Sequence, residues 1–159
     1  MARIQKLEAV TEVMCCPAKL YRMFTRDAPE LPKYLPKAFH SVEVIGDGEV
    51  CLGTGFVWKA VPHGAGSAIL TKQKITAVDN KNRSITYTVL EGDVMKDFNS
   101  FSFKLDIITP KSGTTDGTSL VKWSVEYEKA NEDVVDPIEI LKACEVATTE
   151  MNIHLLKKA

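Results

Sequence analysis

Four glycines within ten residues make one stretch of the chain a candidate for phosphate binding. They are Gly46, Gly48, Gly53 and Gly55. A P-loop needs a lysine directly after its second glycine; the spacing from Gly48 to Gly53 fits, but Thr54 follows. A dinucleotide-binding fingerprint needs a third glycine where Cys51 stands. The stretch is therefore interpreted as a hairpin connection in which glycines permit the positive φ angles of a turn.

The cysteines and histidines show no spacing that is typical of a metal site. The chain contains four cysteines and three histidines. Cys15 and Cys16 are adjacent, no CxxC pair is present, and the histidines are scattered. We therefore expect no metal and no cofactor, and free thiols in a reducing cytosol.

Tyr87 is the best candidate for a catalytic group. On the inward face of a strand, its phenol would be able to hydrogen-bond a carbonyl oxygen of a substrate. A buried tyrosine is more often structural, with its hydroxyl satisfied by the protein. Cys144 is a candidate nucleophile, but no histidine is placed to activate it, which favours a small core thiol.

Two lysines and three carboxylates are further candidates for acid–base chemistry. Lys72 and Lys74 share one face of a strand, and a desolvated lysine there would have a lowered pKa. The opposite face is more apolar, which favours leaving both lysines in water. That face consists of Ile69, Thr71, Ile75 and Ala77.

Solvated positions are also favoured for three carboxylates near one turn. They are Glu91, Asp93 and Asp97.

Length and charge indicate a single domain over residues 1–159. Lys+Arg 20 against Asp+Glu 21 gives a formal net charge of −1, so no nucleic acid or anionic membrane is expected as a partner. No apolar run approaches the ~20 residues of a membrane span, and the first residues lack the apolar segment of a signal peptide. We therefore expect a cytoplasmic protein. Its oligomeric state stays open.

Alternating apolar and polar residues predict seven strands. The predicted strands cover residues 6–13, 41–45, 53–61, 67–78, 84–90, 100–107 and 121–128. Two short helices are predicted after the first strand, at 18–25 and 27–31, with breaks at Pro32 and Pro36. Consecutive strands joined by short turns favour an antiparallel sheet.

The last segment predicts a long helix that ends near Lys157. Asp136 is a candidate N-cap, Pro137 a first-turn proline and Glu139 a capping-box partner. The apolar stripe has helical spacing. It consists of Ile140, Cys144, Ala147, Met151 and Leu155.

Side-chain sizes leave two arrangements open between strands and helix. The strands offer large inward aromatic residues, while the facing part of the helix offers small ones. The layers either pack closely or stand apart over a cavity. Residue patterns alone do not choose between a core and a pocket.

Three segments carry a resemblance to a known family. They are EGDVMKDF at 91–98, VKWSVEYEK at 121–129 and HLL at 154–156. With them, the chain resembles the major latex proteins, a branch of the plant pathogenesis-related class 10 superfamily that includes the birch pollen allergen. The resemblance implies an α+β helix-grip fold: a seven-stranded antiparallel sheet curved around a long carboxy-terminal helix, with two short helices after the first strand. It also implies a large apolar cavity and places the glycine-rich stretch in the loop between strands two and three.

Together these observations favour binding or carriage of an apolar small molecule, such as a sterol, lipid or specialised metabolite. The expected ligand-binding residues are Phe56, Trp58, Ile69, Tyr87, Val89, Phe101, Phe103, Leu105, Val121, Trp123, Ile140, Cys144, Ala147 and Met151. The alternative is a cofactor-free cyclase or isomerase acting on a terpenoid or alkaloid intermediate, because the resemblance implies that some relatives are such enzymes. Ribonuclease activity has little support, since no paired histidines or basic stripe are present.

Overall fold

The structure of the protein is a computed structural model that describes residues 4–14, 16–45, 51–61, 69–108 and 119–157. Some sequence predictions lie outside these ranges. They concern the glycine-rich stretch at 46–50, the turn at 62–66, the start of the predicted fourth strand at 67–68, Cys15 and His63.

The described residues form one seven-stranded antiparallel sheet and three α-helices. The strands are β1 (Gln5–Val13), β2 (Phe39–Ile45), β3 (Gly55–Ala60), β4 (Ile69–Asp79), β5 (Ser84–Gly92), β6 (Phe98–Ile108) and β7 (Ser119–Lys129). The helices are α1 (Pro17–Met23), α2 (Leu31–Tyr34) and α3 (Ile138–Lys157), and 3-10 turns cover Ala28–Glu30 and Asp93–Lys96. This order confirms the expected helix-grip fold.

Strands β2 to β7 follow one another across the sheet, and β1 pairs with β7 at the far edge. The β1–β7 register places Leu7 opposite Val125 and Thr11 opposite Val121. Helix α3 packs against β1, β7 and α1. The face of the sheet that is turned toward α3 is called the inner face below. It carries the core and positions the site.

Side-chain alternation defines the inner face of most strands, as expected for strands with one buried side. In β7, for example, Val121, Trp123 and Val125 are all buried. Strand β4 departs from the rule because a β-bulge lies between Ile75 and Ala77. The extra residue reverses the alternation, so Ala77 is exposed. The prediction that Ala77 faces the interior is wrong.

The two short helices after β1 are present as α1 and α2. Helix α1 buries Leu20 and Met23, and Phe24 directly after it is also buried. The predicted break at Pro32 is wrong, because Pro32 lies in the first turn of α2. A proline costs no hydrogen bond there, since first-turn N–H groups have no helical acceptor.

The start of α3 differs from the prediction by one residue. The first helical hydrogen bond runs from the Leu141 N–H to the Pro137 carbonyl at 3.2 Å. Pro137 therefore occupies the N-cap position that was predicted for Asp136. The Asp136 Oδ1 instead accepts hydrogen bonds from the Tyr127 hydroxyl at 2.8 Å and from Lys129 Nζ at 2.9 Å. Asp136 therefore joins the end of β7 to the start of the helix.

Candidate functional site

A cavity of about 120 Å³ lies between the inner face of the sheet and the first half of α3. An engineered apolar cavity of about 150 Å³ holds one benzene ring in another protein. The cavity therefore fits a ligand of about one ring. This is smaller than the large cavity that the resemblance implies.

Aromatic side chains account for the small volume. Trp58 stacks on Phe56 with ring centroids 5.7 Å apart, and Tyr87 meets Trp58 edge-on at 6.0 Å. On the opposite side, Phe24 meets Trp123 edge-on at 5.3 Å. Such edge-on and offset contacts are the preferred packing of aromatic rings. These rings occupy space on the inner face, while the small residues Ala143 and Ala147 of α3 line the part that stays open.

Eight of the predicted ligand-binding residues line the cavity. They are Trp58, Ile69, Tyr87, Phe103, Trp123, Ile140, Cys144 and Ala147. Six others do not line it and are buried in the packed core. They are Phe56, Val89, Phe101, Leu105, Val121 and Met151. Any effect of these six on a ligand would pass through the residues that form the wall.

Other lining residues were absent from the sequence-based set. They are Phe24, Ala38, Phe39, Ala60, Val61, Thr71, Gln73 and Ala143. Thr71 and Gln73 follow Ile69 at two-residue intervals, so strand alternation places them on the same inner face. Their side chains are polar, however, and polar residues are mostly exposed. Ala38 and Phe39 lie where α2 leads into β2, and no periodicity predicts that a connection contributes to a wall.

The Tyr87 hydroxyl is already engaged within the protein. It donates a hydrogen bond to the main-chain carbonyl of Phe24. Burial raises the pKa of the Tyr87 phenol far above its ordinary value, so the group is protonated at neutral pH. These contacts favour the structural interpretation of Tyr87 over the catalytic one.

Trp123 and Cys144 are connected by a short hydrogen-bonded chain. The Trp123 Nε1–H donates to Thr148 Oγ1 at 2.7 Å, and Thr148 Oγ1 donates to the Cys144 carbonyl at 2.8 Å. Burial raises the pKa of the Cys144 thiol to about 12. Because the thiolate is the nucleophilic form of cysteine, this environment argues against a nucleophilic role.

The indole of Trp58, by contrast, has an unused donor. Trp58 is 9% exposed, and its Nε1–H has no acceptor among the described residues. Its cross-strand partner on β4 is Thr71, whose Oγ1 accepts a hydrogen bond from Gln73 Nε2 at 3.1 Å. Trp58, Thr71 and Gln73 all line the cavity, and these three side chains are called the polar patch below.

The charged candidates lie away from the cavity. Lys72 and Lys74 do not line it, and Lys74 is exposed. The carboxylates Glu91, Asp93 and Asp97 are exposed as well. Within the described part of the chain, therefore, no lysine, arginine, aspartate or glutamate lines the cavity.

The described residues offer no obvious metal site, since no three His, Cys, Asp or Glu side chains in those ranges are grouped to hold an ion. Cys16, Cys51 and Cys144 are free thiols. In the same ranges, no helix combines the length and apolar character needed to cross a bilayer.

A sequence profile of the Pathogenesis-related protein Bet v 1 family matches residues 2–158. MLP-like protein 43 of Arabidopsis thaliana is 35% identical over 153 residues, which cover 96% of this chain and 94% of that protein. MLP-like protein 34 of the same plant is 32% identical over 96% of this chain. The chain spans only 46% of that longer relative.

Solved structures show the same fold. Ginseng major latex-like protein 151 from Panax ginseng superposes with a TM-score of 0.85 at 27% identity, over 96% of this chain and 98% of that one. Norcoclaurine synthase from Thalictrum flavum superposes with a TM-score of 0.70 at 23% identity, over 96% of this chain and 88% of that one. At that lower identity the likeness shows the fold alone.

Proposed function

The chain belongs to the Bet v 1 family of pathogenesis-related proteins, and from this premise we propose that it binds neutral, apolar molecules of about one ring in the cavity under α3. The observation that carries the proposal is the composition of the wall. Aromatic and aliphatic residues dominate it, and none of the described lining residues is charged at neutral pH. An ionic ligand would lose its hydration without gaining a counter-charge.

The size of the cavity sets the affinity that we expect. A single ring buries about 200 Å² of surface, which contributes roughly 5 kcal/mol at ~25 cal/mol per Å² before ordering costs are subtracted. A dissociation constant of about 0.2 mM or weaker follows, because 1 mM corresponds to about 4.1 kcal/mol and each further 1.4 kcal/mol is tenfold. Drug-sized ligands use pockets of about 300 Å³ or more, so a sterol exceeds the space available.

Binding is favoured over catalysis by the state of the ionisable lining residues. A general acid or base must exchange its proton near the working pH. Tyr87 and Cys144 are the titratable groups among the described lining residues, and burial raises the pKa of both. The Tyr87 hydroxyl is also already donated to Phe24. Neither group is suited to move a proton at neutral pH.

The proposal is tested with toluene as the probe and thermal unfolding as the measurement. A ligand at ten times its dissociation constant stabilises the folded state by about 1.4 kcal/mol, so toluene near its solubility limit in water raises Tm. Ala143→Phe places a ring in the cavity that Ala143 lines. We expect this variant to lose the toluene-dependent rise in Tm.

Val146→Phe is the matched control. Val146 lies on the same helix but is 37% exposed and does not line the cavity, so this variant should retain the rise. Equal responses of both variants, or no response of the unmodified protein to any neutral single-ring compound, would contradict the proposal.

A further inference from the structure

We propose that the Trp58 indole N–H is the polar anchor of the cavity and selects ligands whose ring carries a hydrogen-bond acceptor, such as a carbonyl oxygen. This inference rests on the proposed binding function and adds a chemical class to it. The site would prefer an aromatic ketone or aldehyde to a hydrocarbon of the same shape.

The Trp58 indole has a hydrogen-bond donor that the described residues leave unused. An indole nitrogen is a donor only, and leaving such a group buried and unpaired is unfavourable. The described residues contain two tryptophans. The Trp123 Nε1–H is donated to Thr148 Oγ1 at 2.7 Å, whereas the Trp58 Nε1–H has no acceptor among the described residues. A cavity ligand with an acceptor atom would satisfy it.

The surroundings of Trp58 support an acceptor at this place. Thr71 and Gln73 are 7% and 6% exposed and line the same cavity. Their mutual hydrogen bond at 3.1 Å uses one donor of the Gln73 amide and leaves the Thr71 hydroxyl proton free to be donated. The polar patch therefore surrounds an acceptor with further donors. The helical wall, with Ile140 and Ala147, is apolar.

The absence of charge on the described lining residues narrows the class further. A carboxylate ligand would also accept a hydrogen bond from Trp58, but no lysine or arginine among those residues would neutralise it. Burial of an unpaired charge costs more than one hydrogen bond returns. A neutral carbonyl is the acceptor that matches both the donor and the surrounding wall.

Acetophenone and α-methylstyrene form a suitable pair of probes, because they differ only in an oxygen in place of a terminal CH₂ group. Their dissociation constants are measured by calorimetry on the unmodified protein, on Trp58→Phe and on Tyr21→Phe. We expect the preference for acetophenone to fall roughly tenfold in Trp58→Phe, because the donor is lost. It should stay within about threefold in Tyr21→Phe, since the Tyr21 hydroxyl donates to Asn80 and Tyr21 does not line the cavity.

NMR of the unmodified protein gives a second measurement that does not depend on a variant folding. The chain contains two tryptophans, so tryptophan ¹⁵N labelling yields two indole N–H signals. We expect acetophenone, but not α-methylstyrene, to shift the Trp58 indole proton downfield as the hydrogen bond forms.

The possible outcomes distinguish a failure of the Trp58 anchor from a failure of the proposed binding function. If both probes bind, but the preference survives Trp58→Phe and both probes shift the Trp58 signal alike, the anchor is wrong and the cavity function stands. If neither probe binds, the proposed function fails and the anchor with it.

Discussion

Single polar side chains determine what the cavity can do, because its wall is otherwise apolar. Tyr87 and Trp58 are neighbours with rings 6.0 Å apart, yet their polar atoms are used differently. The Tyr87 hydroxyl stabilises the end of α1 through the Phe24 carbonyl, whereas the Trp58 N–H has no acceptor among the described residues. Proximity to the cavity therefore does not by itself assign a role in binding.

Tyr87→Phe should lower stability without lowering affinity. The substitution removes the hydroxyl that donates to the buried Phe24 carbonyl, and an unpaired buried acceptor costs about 1–3 kcal/mol. Denaturant titration measures this loss, and calorimetry with toluene measures the affinity. Tyr21→Phe is the control: its hydroxyl donates at 3.0 Å to the exposed Asn80, which water can satisfy, so its loss should be smaller. Unchanged stability together with abolished binding would instead indicate that Tyr87 contacts the ligand.

At the scale of elements, strand junctions fix the walls of the cavity. Gly92 at the end of β5 has φ 129°, and a Cβ built there would lie 2.2 Å from the Leu70 carbonyl oxygen on β4. No side chain fits that contact without separating the two strands. Because Ile69, the neighbour of Leu70, lines the cavity, this junction also sets the position of one wall.

Gly92→Ala should therefore be strongly destabilising, by more than about 3 kcal/mol, since strain at positive φ accounts for roughly 1–3 kcal/mol and the collision adds to it. Gly53→Ala separates the two effects. Gly53 has φ 91° but nothing within 4 Å of a built Cβ, so Gly53→Ala introduces the backbone strain without a steric collision. Denaturant titration of both variants should rank Gly92→Ala as clearly the less stable; equal losses would show that the close approach is relieved elsewhere.

Asp136→Asn should show a pH-dependent loss of stability. Hydrogen bonds from Lys129 and Tyr127 lower the pKa of the Asp136 carboxyl in the folded state. A carboxyl group whose pKa is lower in the folded than in the unfolded protein stabilises the folded state. This stabilisation is complete above the unfolded pKa of about 3.9, and it is lost as the pH falls through the folded pKa. The Tm difference between the two proteins should be constant above about pH 5 and shrink below about pH 4. In a Lys129→Met background the difference should be smaller throughout, and a difference that grew on acidification would contradict the assignment.

Sequence patterns predict the elements better than the site for a physical reason. Strands such as β6 and β7 each have one buried face, so alternation reports their direction, and their ends agree with prediction to within two residues. The bulge beside Ala77 arises from pairing between strands and leaves no mark on the local pattern. The volume of the cavity depends on how rings such as Trp58 and Phe24 pack. That the Trp58 N–H has no acceptor among the described residues becomes visible only from the full set of neighbouring side chains.

At the scale of the whole molecule, the cavity under α3 is small and lies between two large layers, so ligand size should have an optimum. Along the series toluene, ethylbenzene, propylbenzene and longer alkylbenzenes, each added CH₂ contributes about 0.8 kcal/mol while it fits. Calorimetry should show affinity rising over the first members and falling once 120 Å³ is filled. Phe103 lines the cavity, so Phe103→Leu enlarges the cavity and should move the optimal ligand to a longer alkyl chain. A continuous rise through hexylbenzene would mean that the cavity expands around its ligand.

The pairing of β1 with β7 has a consequence for how the protein is made. Glu8 on β1 meets Ser124 on β7 across 116 residues of chain. Contacts so distant along the chain form slowly, because a large loop must close before they can stabilise anything. During synthesis β1 cannot join the sheet until β7 has left the ribosome. The cavity therefore forms only after β7 and α3 have been made, and a ligand must be captured after that point rather than enclosed earlier in translation.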